Sequence, residues 1–208
     1  MIPIDEKKWL KQAAAGSAEA FEQLVLKYQT AVYNLCLRMT GDPEDAADMT
    51  QESFLKAWRN LESFQGNSAF STWLYRLASN TCLDHLRSVK RKPQLSLVLE
   101  DEDGEVQALD VPDSAPTPEE QVIALDEQSR LNQALQTLEE DQRQILILRA
   151  VNGLSYTEIA EALHLKEGTV KSRLARARDQ LRKKLQQNGN NSPAPTSKKQ
   201  KGGGDGEL

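Results

Sequence analysis

The chain has 208 residues, of which 38% are hydrophobic and 27% are charged, a composition that suits one or two small folded domains. It contains no apolar run suited to a signal peptide or a membrane span, so we expect a cytoplasmic protein. Its two cysteines, Cys36 and Cys82, and its two histidines show no metal-ligand spacing. We therefore expect buried reduced thiols, no metal and no cofactor.

The net charge of −5 hides an uneven charge distribution along the chain. Residues 93–129 contain eleven acidic residues and no Lys or Arg, whereas residues 166–184 contain eight basic and two acidic residues. Residues 76–92 contain five basic residues and one acidic residue. Because the local sign of charge governs attraction to nucleic acid, both basic segments are candidate DNA-binding surfaces despite the acidic average.

Apolar residues spaced three and four apart predict a series of helices in the first part of the chain. Ser17 is expected to cap the second helix, Gly41 to end it, and Asp42, followed by Pro43, to begin the third. Ser71 is expected to cap the fourth. The four predicted helices cover residues 1–16, 17–40, 42–61 and 72–92.

The third predicted helix has an acidic outer face. Asp48 and Glu52 lie four residues apart beyond its first turn, and Gln51 lies beside them. Acidic residues near the start of a helix interact favourably with its dipole, which is one interpretation. The other is that this patch docks on a basic surface of another protein.

Basic residues line the outer face of the fourth predicted helix, and aromatic residues gather near its start. Phe64 lies in a polar loop before the helix and is the better candidate for stacking on unpaired bases. Phe70, Trp73 and Tyr75 could also stack on bases. The alternative is that Phe70 and Trp73 belong to the core, which is the expected place for Trp73.

Residues 93–118 are predicted to be an extended acidic linker, since they contain four prolines and little periodicity. Such a linker could simply be solvated, or it could enter a basic channel as a mimic of nucleic acid. Residues 188–208 are polar and low in complexity, so a disordered tail is expected there, and no role is assigned to it.

Helical patterning resumes at Glu119, continues through a helix near residues 141–151, and leads to a predicted helix-turn-helix. Ser155 and Glu158 have the spacing of a capping box, and His164-Leu165 fits a short turn. In the second helix of the pair, Val170 and Leu174 are expected to point inward. The outward residues are mainly basic, which favours DNA binding over the alternative of a solvated helical hairpin.

Two blocks of the sequence resemble extracytoplasmic-function (ECF) bacterial RNA polymerase sigma factors. Residues 46–58, 70–80 and 84–87 are similar to region 2 of that family. Residues 138–185, including Gly168-Thr169-Val170-Lys171-Ser172-Arg173, are similar to region 4. The resemblance implies an all-α protein that is not an enzyme. It consists of region 2 (1–92), the acidic linker (93–118), region 4 (119–187) and the tail (188–208).

The resemblance also implies the partners and the residues that bind them. The partners would be core RNA polymerase, promoter DNA and an anti-sigma factor, which in many relatives is anchored in the membrane, with no small-molecule substrate. Polymerase would be bound by Asp45, Asp48, Gln51 and Glu52. The −10 strand would be bound by Phe64, Arg76, Asn80 and Arg87. The −35 duplex would be bound by Thr169, Lys171, Ser172, Arg173, Ala175 and Arg176.

The alternative function is a free-standing helix-turn-helix regulator that binds duplex DNA without polymerase. An enzyme has little support, because the sequence contains no nucleophile–base constellation, phosphate loop or metal-ligand set.

Overall fold

The computed structural model describes residues 4–64, 66–91 and 128–189, and every regular element within those ranges is helical. This confirms the predicted all-α class. The linker at 93–118 and residues 190–208 of the predicted tail lie outside the described residues. Asn188 and Gly189, which the prediction placed in that tail, instead continue the last helix. The first group of helices comprises α1 (Ile4–Ala14), α2 (Ala18–Thr40), α3 (Pro43–Asn60), a short 3-10 helix (Leu61–Ser63) and α4 (Phe70–Arg91). The second comprises α5 (128–136), α6 (Glu140–Ala150), α7 (Tyr156–Leu163) and α8 (Glu167–Gly189).

The predicted ends of α2 and the start of α3 are confirmed. The Ser17 hydroxyl accepts a hydrogen bond from the Ala20 amide at 3.2 Å, and Gly41 ends α2 in the left-handed region at φ 84°. The Asp42 carboxylate accepts from the Asp45 amide at 2.8 Å. Each cap satisfies backbone groups that the helix itself leaves unpaired.

The predicted cap of α4 by Ser71 is wrong. The helix begins at Phe70, and the Trp73 amide donates to the Ala69 carbonyl, so Ser71 lies inside the first turn. Phe70 is fully buried and its ring lies 5.6 Å from that of Tyr28 on α2. Burial of this ring favours a helix that begins at Phe70. The capping pattern of the sequence alone does not predict this start.

The buried apolar residues of the two groups form one continuous cluster. In the first group α2, α3 and α4 pack around side chains such as Leu35 and Leu74, and Cys36 and Cys82 are free, buried thiols. In the second group α6 and α7 pack on α8 around Ile145. The groups meet where α6 packs on α2, and where α6 and α7 pack on α4.

Candidate nucleic-acid and polymerase interfaces

The helix-turn-helix is built as the capping pattern predicted. The Glu158 amide donates to the Ser155 hydroxyl at 3.1 Å, and the Ser155 amide donates to the Glu158 carboxylate at 2.8 Å. This reciprocal pair fixes the start of α7. The backbone amide of Ser155 is the main cause of a lowered pKa at Glu158, followed by the Ser155 hydroxyl.

The turn between α7 and α8 passes through His164 in the left-handed region at φ 53°, as a C-terminal cap of α7. Val170 and Leu174 then anchor α8, because both are buried in the apolar core. The opposite face of α8 is exposed. All six residues predicted to bind the −35 duplex lie on this helix. Lys171, Ser172, Ala175 and Arg176 are exposed there, whereas Thr169 and Arg173 are half-buried.

Two groups hold the ammonium group of Lys171. The Glu167 carboxylate lies 2.6 Å from Lys171 Nζ, one turn earlier on α8. The ring of Tyr156 lies 5.6 Å from the same nitrogen, within cation–π range. The hydrogen bond to Glu167 is the main cause of the raised pKa of Lys171, so this residue is a cation at neutral pH.

The aromatic residues near the start of α4 form a packed cluster. The Phe64 ring lies 5.7 Å from Phe70 and 5.4 Å from Trp73, and Phe64 and Trp73 are half-buried. Phe70 and Tyr75 are buried in the core. The core alternative is therefore confirmed for Phe70, and the interpretation that either residue stacks on bases is wrong. Phe64 and Trp73 retain exposed surface, with Phe64 at the edge of the cluster.

The polar residues predicted to bind the −10 strand follow one side of α4. Arg76, Asn80 and Arg87 line a cleft of about 840 Å³ that separates α4 from the second group of helices. Arg173 of α8 lies on the opposite wall of the same cleft. Phe64 lines a smaller neighbouring cavity of about 320 Å³, which also includes Arg76. The four predicted −10 residues therefore lie along two adjoining cavities.

The acidic face of α3 is only partly free. Asp48 and Gln51 are exposed, whereas a Glu52 oxygen lies 3.5 Å from Lys56 Nζ. Asp45 is half-buried, and its carboxylate lies 3.1 Å from His85 Nε2 on α4. Of the four predicted polymerase-binding residues, Asp48 and Gln51 are therefore accessible, Glu52 is half-buried beside them, and Asp45 is turned toward α4.

Sequence reasoning missed a set of polar residues on α6 that join the two helical groups. The buried Arg143 guanidinium donates to the carbonyls of Met39, Gln136 and Leu138, and burial lowers its pKa. Gln144 Nε2 donates to the Ser79 hydroxyl at 2.9 Å and to the Asn80 side-chain oxygen at 3.0 Å. The available signal was the position of these polar residues directly beside the apolar run 145–148.

Comparison with known proteins decides the family. Residues 24–92 match Sigma-70 region 2, and residues 128–181 match Sigma-70 region 4. The ECF RNA polymerase sigma factor SigW of Bacillus subtilis is 36% identical, over 86% of this chain and 96% of that protein. The chain belongs to the ECF family of RNA polymerase sigma factors. The RNA polymerase sigma-H factor of Pseudomonas aeruginosa is 38% identical over 87% of this chain and 94% of that protein.

Two solved structures share the fold of this sigma factor. CnrH, solved in complex with the cytosolic domain of CnrY, has 25% identity, covers 88% of this chain and 98% of its own, and gives a TM-score of 0.64. The sigma factor RpoE of Bartonella quintana, solved with the anti-sigma factor NepR, has 25% identity and a TM-score of 0.62. It covers 81% of this chain and 98% of its own.

Family membership confirms the predicted function. The protein is a sigma factor that binds core RNA polymerase and directs it to promoter DNA, and it is not itself an enzyme. These matches give no support to the free-standing regulator. None of the helices in the described ranges is both long enough and apolar enough to span a membrane.

Proposed function

We propose that this ECF sigma factor initiates transcription through three separate surfaces. Core polymerase binds the acidic face of α3, the −10 strand binds α4 and the loop before it, and the −35 duplex binds α8. The observation that carries this proposal is the anchoring of α8. Val170 and Leu174 hold one side of the helix in the core, and this leaves the opposite, basic side exposed.

The exposed side of α8 has the chemistry required to read a major groove. Arg176 and Lys171 can donate to guanine, and the methyl group of Ala175 can touch a thymine methyl. The Ser172 hydroxyl donates to the Thr169 carbonyl at 3.0 Å, and its oxygen can accept from a base edge. Thr169 and Arg173 are half-buried at the sides of the helix, a position that suits contacts with phosphate.

Capture of the −10 strand requires a stacking surface and a group that reads a base edge. The half-buried ring of Phe64 supplies the stacking surface, since its neighbours Phe70 and Trp73 hold it in place. Asn80 supplies both a donor and an acceptor. Arg76 and Arg87 lie on the same side of α4 and would bind the phosphates of the strand.

The polymerase-binding surface comprises Asp48, Gln51 and Glu52, with Asp45 beside them. The exposed carboxylate of Asp48 and the half-buried carboxylate of Glu52 would attract a basic surface and orient it during docking. We assign region 2 to residues 1–92, the linker to 93–118, region 4 to 119–187 and a tail to 188–208.

We further propose that the protein acts in the cytoplasm and that an anti-sigma factor controls it. The two structural neighbours support this, since CnrH was solved with the cytosolic domain of CnrY and RpoE with an anti-sigma factor. A partner with a separate cytosolic domain is consistent with anchoring of that partner in the membrane.

Run-off transcription on a randomised promoter library tests the proposed function. Core polymerase with the full chain is expected to select promoters with one preferred −35 and one preferred −10 sequence. The chain alone is expected to bind the selected duplexes weakly. Tight sequence-specific binding without polymerase, combined with no transcription in its presence, would favour the free-standing regulator.

Reversing the charge of the α3 face tests the polymerase assignment. Asp48→Arg with Glu52→Arg is expected to abolish capture of core polymerase, because two attractive carboxylates become repulsive cations. A pull-down with purified core polymerase measures this. The matched control is Glu22→Arg with Glu62→Arg, which reverses two exposed acids outside the patch. Retained binding by the first variant would show that polymerase docks elsewhere.

A further inference from the structure

Helix α1 precedes the part of the chain that matches Sigma-70 region 2, because that match begins at residue 24. The helix carries three exposed lysines, Lys7, Lys8 and Lys11. Its other side is turned to the first group of helices, where Trp9 is half-buried and Ala13 is buried. At the helical spacing the three lysines therefore share the solvent-facing side of α1, which we call the lysine face.

The positive charge of the lysine face is not neutralised within the described ranges, where none of its three ammonium groups forms an ion pair. Of the two acids of α1, Glu6 is buried and paired with Lys27 of α2. Asp5 forms no ion pair in that part of the chain. By contrast, the exposed Lys171 of α8 is held by Glu167 at 2.6 Å. The lysine face is therefore a free cationic surface.

A short series of contacts links α1 to the proposed −10 surface. The buried Glu6 carboxylate accepts a hydrogen bond from the Tyr28 hydroxyl of α2 at 2.9 Å. The Tyr28 ring lies 5.6 Å from the ring of Phe70, which lies 5.7 Å from the ring of Phe64. Helix α1 also packs on the 3-10 helix Leu61–Ser63, which leads directly into Phe64. The lysine face starts next to Glu6 and thus lies beyond the Phe64 end of the −10 surface.

Opening of the promoter provides a ligand for this face. The −35 element is bound as a duplex and the −10 strand is bound unpaired, so the unpaired strand continues downstream of the −10 element. We propose that the lysine face binds the phosphates of the unpaired strand just downstream of the −10 element. This inference rests on the proposed function, in which Phe64 stacks on a base at the α1 end of the −10 surface.

The chemistry of the lysine face suits phosphates rather than bases. A lysine ammonium is a compact, hydrated charge on a flexible stem, and it donates to a phosphate without reading a base edge. Binding at this face is therefore independent of sequence and sensitive to salt. Three phosphate contacts at about 0.7 each should steepen the dependence of log affinity on log salt by about 2.

The test uses holoenzyme, assembled from core polymerase and the full chain, with two forms of a selected promoter. Both forms have a duplex −35 element and an unpaired −10 strand. In the shorter form that strand ends at the −10 element, and in the longer form it continues downstream as a run of thymidines. Holoenzyme with the unaltered chain is expected to bind the longer form more tightly, with a steeper salt dependence.

The variant Lys7→Gln with Lys8→Gln and Lys11→Gln removes the charge of the face and retains side chains that favour a helix. It should bind the longer form more weakly and reduce the salt slope on that form by about 2. The shorter form does not reach α1, so the loss should be confined to the longer form. Arginine at the same three positions should preserve the tighter binding.

The charge-matched control is Lys166→Gln with Lys183→Gln and Lys184→Gln, which removes three exposed lysines at and beyond the start of α8. Any loss of affinity in this control should be equal for the shorter and longer forms, because neither form differs at the −35 element. A loss that depends on the length of the unpaired strand is therefore specific to α1.

Equal losses on both forms with the α1 variant would overturn the proposal, as would no loss on the longer form. Reduced capture of core polymerase by the α1 variant in a pull-down would also overturn it, because α1 would then contact an acidic surface of polymerase. Failure of the unaltered holoenzyme to bind even the shorter form would refute the proposed function. Binding of the shorter form, with no effect of the α1 variant on the longer one, would refute only the present inference.

Discussion

The two basic helices, α4 and α8, have similar chemistry and different surroundings. They contain 22 and 23 residues, and each buries apolar side chains on one face and carries Arg and Lys on the other. The outer face of α8 is open at Lys171 and Arg176. The outer face of α4 lies opposite α6, where Gln144 donates a hydrogen bond to Asn80 and Glu140 forms an ion pair with Arg87. The same pattern of residues therefore gives one available surface and one occupied surface.

The difference arises because α4 lies in the middle of the molecule and α8 at its edge. The helix α4 packs on α2 and α3 with one face and meets α6 and α7 with another, whereas α8 packs on α6 and α7 among the helices that the structure describes. Availability of a basic face is consequently a tertiary property, which depends on what packs opposite it.

Truncation of one core leucine in each helix gives the largest expected effect. Leu74→Ala in α4 and Leu174→Ala in α8 should each lower the free energy of unfolding by about 2–5 kcal/mol, because both side chains are buried and leave cavities. Urea unfolding followed by circular dichroism measures the loss. If the groups unfold as one unit, each variant shifts a single transition.

The matched control is Leu55→Ala, since this leucine of α3 is 43% exposed and should lose little stability. Two separate transitions, of which Leu174→Ala shifts only one, would contradict coupling of the two groups by their continuous core.

Arg143→Met should give the next largest effect, because it removes a buried guanidinium from the junction of α2, α5 and α6. The carbonyls of Met39 and Leu138 would lose their donor, at a cost of about 2–3 kcal/mol in the free energy of unfolding. The control is Arg149→Met on the same helix, where the half-buried guanidinium donates to Leu154 within the second group. Equal losses of unfolding free energy in Arg143→Met and Arg149→Met would show that the hydrogen bonds at this junction stabilise the fold no more than those within the second group.

Local chemistry explains which parts of the fold the sequence could predict. Ser17, Gly41 and Asp42 mark helix ends because their side chains or backbone satisfy groups within a few residues. The capping box of α7 and the inward positions Val170 and Leu174 follow from the same short-range spacing. The helical class and the exposed basic face of α8 could therefore be predicted without tertiary information.

Long-range packing explains what the sequence did not predict. Phe70 and Tyr75 were candidates for base stacking by composition, yet the ring of Tyr28 on α2 lies against both of them in the core. Asp141 is an ordinary first-turn acid in the sequence. In the structure its carboxylate forms ion pairs with Arg87 and Arg173, which come from two distant segments. No local pattern encodes those pairings.

Base reading by α8 can be separated from phosphate binding with Arg176→Ala. Loss of a bidentate contact with guanine should cost about 1–3 kcal/mol in binding at one −35 base pair and relax the preference there. Binding of holoenzyme to a panel of single-base −35 variants measures this. The control is Arg182→Ala further along α8, where a uniform loss across sequences is expected. A uniform loss with Arg176→Ala would move that residue to the phosphate-binding class.

The smallest expected effect concerns Glu158, which connects α7 to α4. Its carboxylate accepts from the Ser155 amide in the capping box and from the Thr72 hydroxyl of α4 at 3.1 Å. Glu158→Gln should lower the free energy of unfolding by about 1 kcal/mol at neutral pH, because the charged acceptor becomes neutral. Urea unfolding of the full chain at several pH values measures this.

The pH dependence has a defined sign, because the pKa of Glu158 lies below its ordinary value of 4.5 in the folded chain. The stabilisation is fully present above pH 4.5 and is lost as the pH falls through the lowered folded value, so wild type and Glu158→Gln should converge in acid. A double-mutant cycle with Thr72→Val isolates the link to α4. Additive losses would show that Glu158 only caps α7, whereas a coupling of a few tenths of a kcal/mol would show that the same carboxylate also holds α7 against α4.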